Sequence, residues 1–362
     1  MKNYQTYDLS QQDQWNYYFN RLEDKDIYFS PKYCELYERN GDGKAILFIY
    51  HEQENFVYYP FFIRSLKDLP ESINPSSGEE FFDITTPYGY GGPNPNLKGC
   101  EDEKGFLHRF HDVFHQYCVE NNIITEFIRF HPLLQNQKYF DESFIHYSRN
   151  TVYIDTSIDK EEIWENYHST HRNRIRKSLK NNFKIRHRSL KEHKDFRRLY
   201  YSTMNKNNAL DYYYFSEQYL NNIEDLLEDN VYLVEVLLEG EVVVSSYFLQ
   251  FGSYFHYHLL GSDEKYLNYL PGHFLIHYMS IWAKDKGAKY FHLGGGYSSE
   301  DLLLRFKKRF NKTGQIPFFV GKRIHCEEKY VELTKEILHQ EDSYFPMYRH
   351  PKLFTKEVEV NS

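Results

Sequence analysis

Four cysteines, Cys34, Cys100, Cys118 and Cys326, are too few and too scattered to offer a paired metal spacing. They read as reduced, buried thiols of a cytosolic protein. No run approaches the roughly 18 apolar residues that span a bilayer. The start, MKNYQTYDLSQQDQW, is polar and acidic with no apolar signal region. Together these features give the expectation of a cytoplasmic protein without membrane insertion. A zinc-peptidase HExxH, a GxGxxG after a strand and a GxxxxGK[ST] loop are all missing. Metal is therefore not expected, nor is a tightly bound cofactor.

Acidic residues are absent from Asn166 to Lys191, although the chain as a whole carries a net charge of −8. In that stretch Arg172, Arg174, Arg176, Lys177, Lys180, Lys184, Arg186 and Arg188 accumulate. Ile175 and Leu179 lie four apart, so its first part fits a helix with one apolar stripe. Such a basic face suits phosphates or polyanions; a solvated connector helix at a domain junction fits equally well.

What is abundant is aromatic: 19% of residues, with 35 Tyr and 29 Phe. Tyrosine combines an apolar face with a hydroxyl tip and suits sugar or peptide ligands. AT-biased codon usage is the plainer explanation. A length of 362 residues implies two domains.

Those halves share an order of elements. In the second, VYLVEVL (231–237), VVVSSYFLQF (242–251) and YFHYHLL (254–260) are β-rich runs separated by turn signals. A helix over 272–286 follows, started by Pro271 and ended by Gly287, and then a strand over 289–295. In the first, strands over 45–50 and 56–63 precede a helix over 104–121 and a strand over 123–130. Between them the Gly- and Pro-dense ITTPYGYGGPNPN (84–96) reads as a long functional loop. Meander, helix and strand thus occur twice, which is the core order of the acetyltransferase-like fold. In that fold the last two central strands splay apart and admit the donor's acyl group.

The blocks TPYGYGGP (86–93), EFIRFHPLLQN (126–136), FHYHLLGS (255–262), FHLGGG (291–296), LLRFKKRF (303–310) and VGKRIH (320–325) occur in that sequence. Together they resemble the Fem family of aminoacyltransferases and its acetyltransferase-like relatives, over roughly residues 25 to 335. The resemblance implies an α+β fold of two tandem GNAT-like domains, with mixed, mainly antiparallel sheets flanked by helices. It places the first domain at 1–160, completed by 312–345 returning to it. The second is at 161–311, and 346–362 is a C-terminal tail. The implied activity is N-acyl transfer to an amine. The foremost version is an aminoacyl-tRNA-dependent aminoacyltransferase acting on a peptidoglycan or other cell-envelope precursor. An acyl-coenzyme A-dependent N-acetyltransferase acting on an amino sugar or peptide amine in surface-glycan synthesis is the alternative. A non-catalytic binding protein of the same fold is a third. The Gln/Arg-x-x-Gly-x-Gly/Ala loop with which ordinary acetyltransferases hold coenzyme A is missing, which favours a tRNA-borne donor. The Pro271-Gly272 turn could still offer helix N-terminal amides to a phosphate.

By the same resemblance, Phe306-Lys307 corresponds to the family's Phe-Lys pair, with Lys307 stabilising an oxyanion or the terminal adenosine of tRNA. On spacing alone the cations around it read as a solvated helix face. Gly294, Gly295 and Gly296 end a strand and can turn backbone amides towards an anion, or simply make a tight turn. Arg129 should face away from Ile128 and Phe130; with Tyr88 and Tyr90 it is a candidate for holding the acceptor, against an ordinary surface arginine. Tyr257 and His258 are candidates for lining the acyl slot, against a packed core histidine. Arg172, Arg174 and Arg176 are the candidate tRNA contacts. The base that accepts the amine proton is left open among Asp83, Asp301, His258, water and the substrate.

Overall fold

The computed structural model describes residues 3–70, 73, 79–188, 191–296, 301–335, 337 and 344–354. The chain divides into two compact units, one of Met1–Asp24, Tyr28–Tyr147 and Phe319–Ser362, the other of Lys25–Ile27 and Ser148–Phe318. The boundaries expected from the sequence fell instead after residues 160 and 311.

In chain order the first unit opens with β1 (Tyr4–Asp8), α1 (Gln12–Arg21) and α2 (Pro31–Arg39). It continues with β2 (Lys44–Glu52), β3 (Asn55–Ser65), β4 (Phe82–Thr85), β5 (Asn94–Asn96), α3 (Glu103–Glu120) and β6 (Ile123–Arg129). Strands β1 to β4 form an antiparallel meander, β5 pairs with β3, and β6 joins β4 in parallel after the α3 crossover. The Asp102 side chain caps α3 by accepting from the Gly105 amide at 3.0 Å. Phe106, Phe110, Phe114 and Cys118, spaced at four residues, give α3 its buried stripe. They pack against Phe48, Tyr50, Tyr59 and Phe61 of the sheet.

Then come β7 (Ile145–Asp155), α4 (Lys160–Asn166), α5 (Ser169–Ser178), β8 (Lys184–His187), α6 (Lys194–Lys206) and α7 (Glu217–Leu227). The remaining elements are β9 (Val231–Leu238), β10 (Glu241–Phe251), β11 (Tyr254–Ser262), α8 (Pro271–Asp285), β12 (Tyr290–Gly295), α9 (Leu302–Lys307), β13 (Gln315–Ile324) and α10 (Glu327–Thr334). In the second unit β8 to β11 form an antiparallel meander, α8 crosses over, and β12 joins β11 in parallel. Each sheet is closed by a strand from elsewhere in the chain. Thr151–Asp155 of β7 lies antiparallel to β12, and Val320–Ile324 of β13 lies antiparallel to β6.

The duplicated meander, helix and strand expected from the sequence is therefore present, with the last strand parallel to its neighbour in each unit, as is the α+β class. Three local readings need correction. The segment 84–96 is not one loop, because its ends pair with the sheet as β4 and β5. Leu179 does not continue an apolar stripe on α5; Ile175 is fully buried, whereas Leu179 is 52% exposed just beyond the helix. All four cysteines are free, but only Cys34 and Cys118 are buried. In the C-terminal tail Tyr348 is buried and its hydroxyl meets Thr125 Oγ1 at 2.6 Å.

Candidate active site

The parallel pairing of β11 with β12 runs only from Tyr254/Tyr290 to His256/His292. Both strands continue beyond that register, β11 to Ser262 and β12 to Gly295, so they part after three residue pairs. Lys307, at the end of α9, reaches this parting. Its Nζ donates to the Gly295 carbonyl at 2.7 Å and lies 5.5 Å from the centre of the Tyr257 ring. Only 7% of Lys307 is exposed, and burial drives its pKa down to about 7. Asp301 pulls in the opposite direction and Arg149 adds to the depression. Near neutral pH this amine is thus divided between a cation and a neutral base.

Several features hold it there. The Asp301 side chain caps α9, accepting from the Leu304 amide at 2.7 Å. His171 Nε2 donates to the Phe306 carbonyl at 3.0 Å, and the Phe306 ring packs edge-on against His273 at 5.0 Å. Burial lowers the pKa of His171 to about 3 and of His273 to about 4, so both are neutral props. Phe306 is therefore the anchor of α9, and its neighbour Lys307 projects from a fixed turn.

The glycines have distinct duties. Gly294 has φ +71°, a conformation that side chains resist, and a Cβ there would lie 3.6 Å from Lys307 Nζ. At Gly296 a Cβ would lie 2.1 Å from the Asp301 carboxylate. Two of their carbonyls are engaged by side chains: Gly295 accepts from Lys307, and Gly296 accepts from Arg149 Nη1 at 2.7 Å. Arg149 was not singled out from the sequence, since only the topology of β7 brings it beside β12.

On β11 the other face carries His256 and His258. His256 Nε2 meets Asp26 Oδ2 at 2.7 Å, with both side chains fully enclosed. His258 lies 3.3 Å from the Tyr219 hydroxyl, and burial together with His256 drives its pKa down to about 3, which makes it a weak base. Of the other open candidates, Asp83 is a buried partner of Arg64 at 2.6 Å and Arg349 at 2.8 Å, and Asp301 is committed to its helix cap.

The remaining candidates lie in the first unit. Tyr88 stacks on Tyr37 at 5.7 Å, and its carbonyl accepts from the Tyr33 hydroxyl at 2.8 Å. Tyr90 meets Tyr28 edge-on at 5.1 Å and His131 at 5.4 Å. Arg129 is half-buried with its guanidinium 4.9 Å over the Phe127 ring, while Ile128 and Phe130 are buried on the opposite face. On α5, Arg172 and Arg176 share one side, and Arg174 lies towards His171 and His273, whose titration it affects.

Residues 169–308, from the start of α5 to just past α9, match the family model described as an acetyltransferase (GNAT) domain. This protein is an acyltransferase with a GNAT domain. The matched GNAT segment contains the parted strands, Tyr257, the three glycines and Lys307. A solved structure of FemX superposes with a TM-score of 0.64 at 14% identity, covering 92% of this chain and 99% of FemX. The C-terminal domain of a putative lysylphosphatidylglycerol synthetase from Agrobacterium fabrum superposes with a TM-score of 0.53 at 9% identity, covering 91% and 96% of the two chains. L-PGS from Bacillus licheniformis gives 0.50 at 10% identity, covering 91% and 97%. At these identities the likeness is one of fold, and it agrees with the Fem-like and GNAT-like resemblance of the six sequence blocks. No curated protein sequence matches the chain.

Proposed function

We propose that the protein transfers an aminoacyl group from aminoacyl-tRNA to an amine of a peptidoglycan or other cell-envelope precursor, in the cytoplasm. The observation that carries the reading is Lys307, buried at the point where β11 and β12 part. In this reaction the acceptor amine attacks the ester carbonyl of the donor. A C–N bond forms, the carbonyl oxygen becomes an oxyanion, and the C–O bond to the tRNA ribose breaks. The proton lost by the amine leaves with the ribose hydroxyl. One N–H of Lys307 is held by Gly295, which fixes the head group and leaves two donors to meet the oxyanion. Tyr257 lies beneath the same ammonium, and its face favours the cation. Tyr88, Tyr90 and Arg129 are the proposed acceptor-holding group, and His258 and the glycine run are proposed to line the acyl slot.

A second reading, acyl-coenzyme A as donor, is favoured by the GNAT match and by the N-terminus of α8 at Pro271-Gly272, a turn that suits phosphate. Calorimetric titration of the protein with acetyl-coenzyme A and, in parallel, with charged and uncharged tRNA separates the two. Saturable coenzyme A binding without tRNA binding would overturn the tRNA reading. Salt-dependent tRNA binding, with transfer to an amine of a cell-wall precursor, supports it.

A further inference from the structure

The basic stretch after Asn166 divides into two parts with different fates. In its later part three cations have carboxylate partners within the protein: Arg186 with Glu235 at 2.6 Å, Arg188 with Glu192 at 2.9 Å and Lys191 with Asp225 at 3.0 Å. In its earlier part Arg172 and Arg176 have no carboxylate partner among the described residues, and neither does Lys312 beside them. The same contrast separates two surface depressions. The larger, of about 630 Å³, is rich in arginine and lysine, but Arg188, Lys191, Arg197 and Arg198 are each paired with an acid. The smaller, of about 470 Å³, is lined by Trp164, Arg172, Asn173, Arg176 and Lys312 together with Ser169 and Glu165.

The construction of this smaller depression is specific. Arg172 Nη1 donates to the Glu165 carbonyl at 3.0 Å, and Lys312 Nζ donates to the same oxygen at 2.8 Å. Two cations are thereby held close together on one neutral acceptor, an arrangement that an external anion relieves. The Glu165 carboxylate is exposed and pairs with neither of them. Arg176 lies 5.1 Å over the Trp164 ring and is steadied by Asn173 Oδ1 at 3.0 Å. An indole capped by a guanidinium is a stacking platform for a base, and the adjoining cations suit the phosphates on either side. The platform is tied to the reactive segment. The Arg309 carbonyl accepts from the His168 amide at 2.8 Å, and the Lys312 amide donates to Asn166 at 3.1 Å, so the residues just after Lys307 are stitched to the α4–α5 link.

We infer that Trp164, Arg172, Arg176 and Lys312 form a binding site for single-stranded RNA, with one base stacking on the Trp164–Arg176 pair and phosphates on Arg172 and Lys312. This rests on the aminoacyl-tRNA reading and makes it specific: the surface takes an unpaired end of the donor rather than its duplex stem. An anionic membrane is the lesser fit, because the exposed apolar side chains Leu179, Leu267 and Tyr269 do not line this depression.

The test is fluorescence anisotropy with the full chain and a labelled single-stranded RNA of about eight nucleotides. The same sequence as a duplex, and phosphatidylglycerol vesicles, serve as competitors. The single strand should bind best, with a log–log salt slope of about −1.4 for the two phosphate contacts. Trp164→Ala should weaken binding by roughly five- to a hundredfold, and Trp164→Phe should restore most of it. Replacing Arg172, Arg176 and Lys312 by Gln should flatten the salt slope. Melting curves for each variant separate binding loss from unfolding. Unchanged affinity in folded Trp164→Ala, preference for the duplex, or displacement by vesicles but not by RNA would overturn the site. Its failure and that of the donor reading are distinguishable. Transfer from aminoacyl-tRNA with unchanged KM in a variant that combines Trp164→Ala with the three Gln replacements refutes the site alone. RNA binding here without any transfer from aminoacyl-tRNA refutes the donor alone.

Discussion

His256 Nε2 and Asp26 Oδ2 meet at 2.7 Å inside the second unit, at the last residue of β11 still paired with β12. Asp26 comes from a three-residue excursion, Lys25–Ile27, that belongs to the second unit although its flanks belong to the first. Its other oxygen, Oδ1, accepts from the Ile27 amide at 2.6 Å, so the carboxylate is fixed at both ends. Removing it leaves a buried imidazole without its acceptor. Asp26→Ala should cost about 1–3 kcal/mol of stability in chemical denaturation. Asp26→Asn should cost less, since the amide oxygen can still accept.

Lys307→Met should cut the rate of amide formation by about 10²–10³, the loss typical of one oxyanion donor. The same substitution should raise the melting temperature at neutral pH, because an ammonium is buried at an energetic cost and methionine is not. A variant that lost both activity and stability would indicate that Lys307 is a structural member of α9.

The folded-state pKa of about 7 at Lys307 lies below the ordinary value of 10.5. Between those values the unfolded chain holds more protons than the folded one at this site, so its contribution makes stability rise with pH across that window. Denaturation midpoints from pH 7 to 10 should show that rise in the wild type, and a weaker one in Lys307→Met.

If the ammonium is the acting form, turnover should fall as pH climbs through about 7. Lys307→Arg, which keeps its charge throughout, should be slower but free of that fall. A rate that instead rises through the same pH would assign Lys307 the role of proton acceptor.

Gly294→Ala forces a side chain into φ +71° and sets a methyl 3.6 Å from Lys307 Nζ. The conformational cost is about 1–2 kcal/mol. Activity should fall further than stability accounts for, measured as kcat against the fraction folded.

The sequence pattern made much of this molecule legible. The meander β9 to β11 and α8, with Pro271 at its start and Gly287 past its end, are local signals, and they appear where expected. The two short strands β4 and β5 hid in a Gly- and Pro-dense segment, because their pairing with β3 is decided by tertiary fit rather than by their own propensity. Lys307 could be named only through family likeness, since four cations in five residues look like any solvated helix face. Arg149, Asp26 and Lys312 carried no local mark, because each meets its partners from more than a hundred residues away. The aromatic abundance proved largely to be packing. Tyr58 and Tyr59 are buried, with their hydroxyls donated to the Phe29 carbonyl at 2.9 Å and to Glu126 at 2.6 Å.

The strand that closes the first sheet is made late. On the ribosome, β6 emerges with one edge bare, and Val320–Ile324, its antiparallel partner, follows about 190 residues afterwards. At ordinary elongation rates that is roughly ten to forty seconds. The nascent amino-terminal half must wait through the synthesis of the entire acyl-transfer unit with an open row of amides and carbonyls, a window in which it is exposed to mispairing. A gene truncated before residue 319 would extend that window indefinitely.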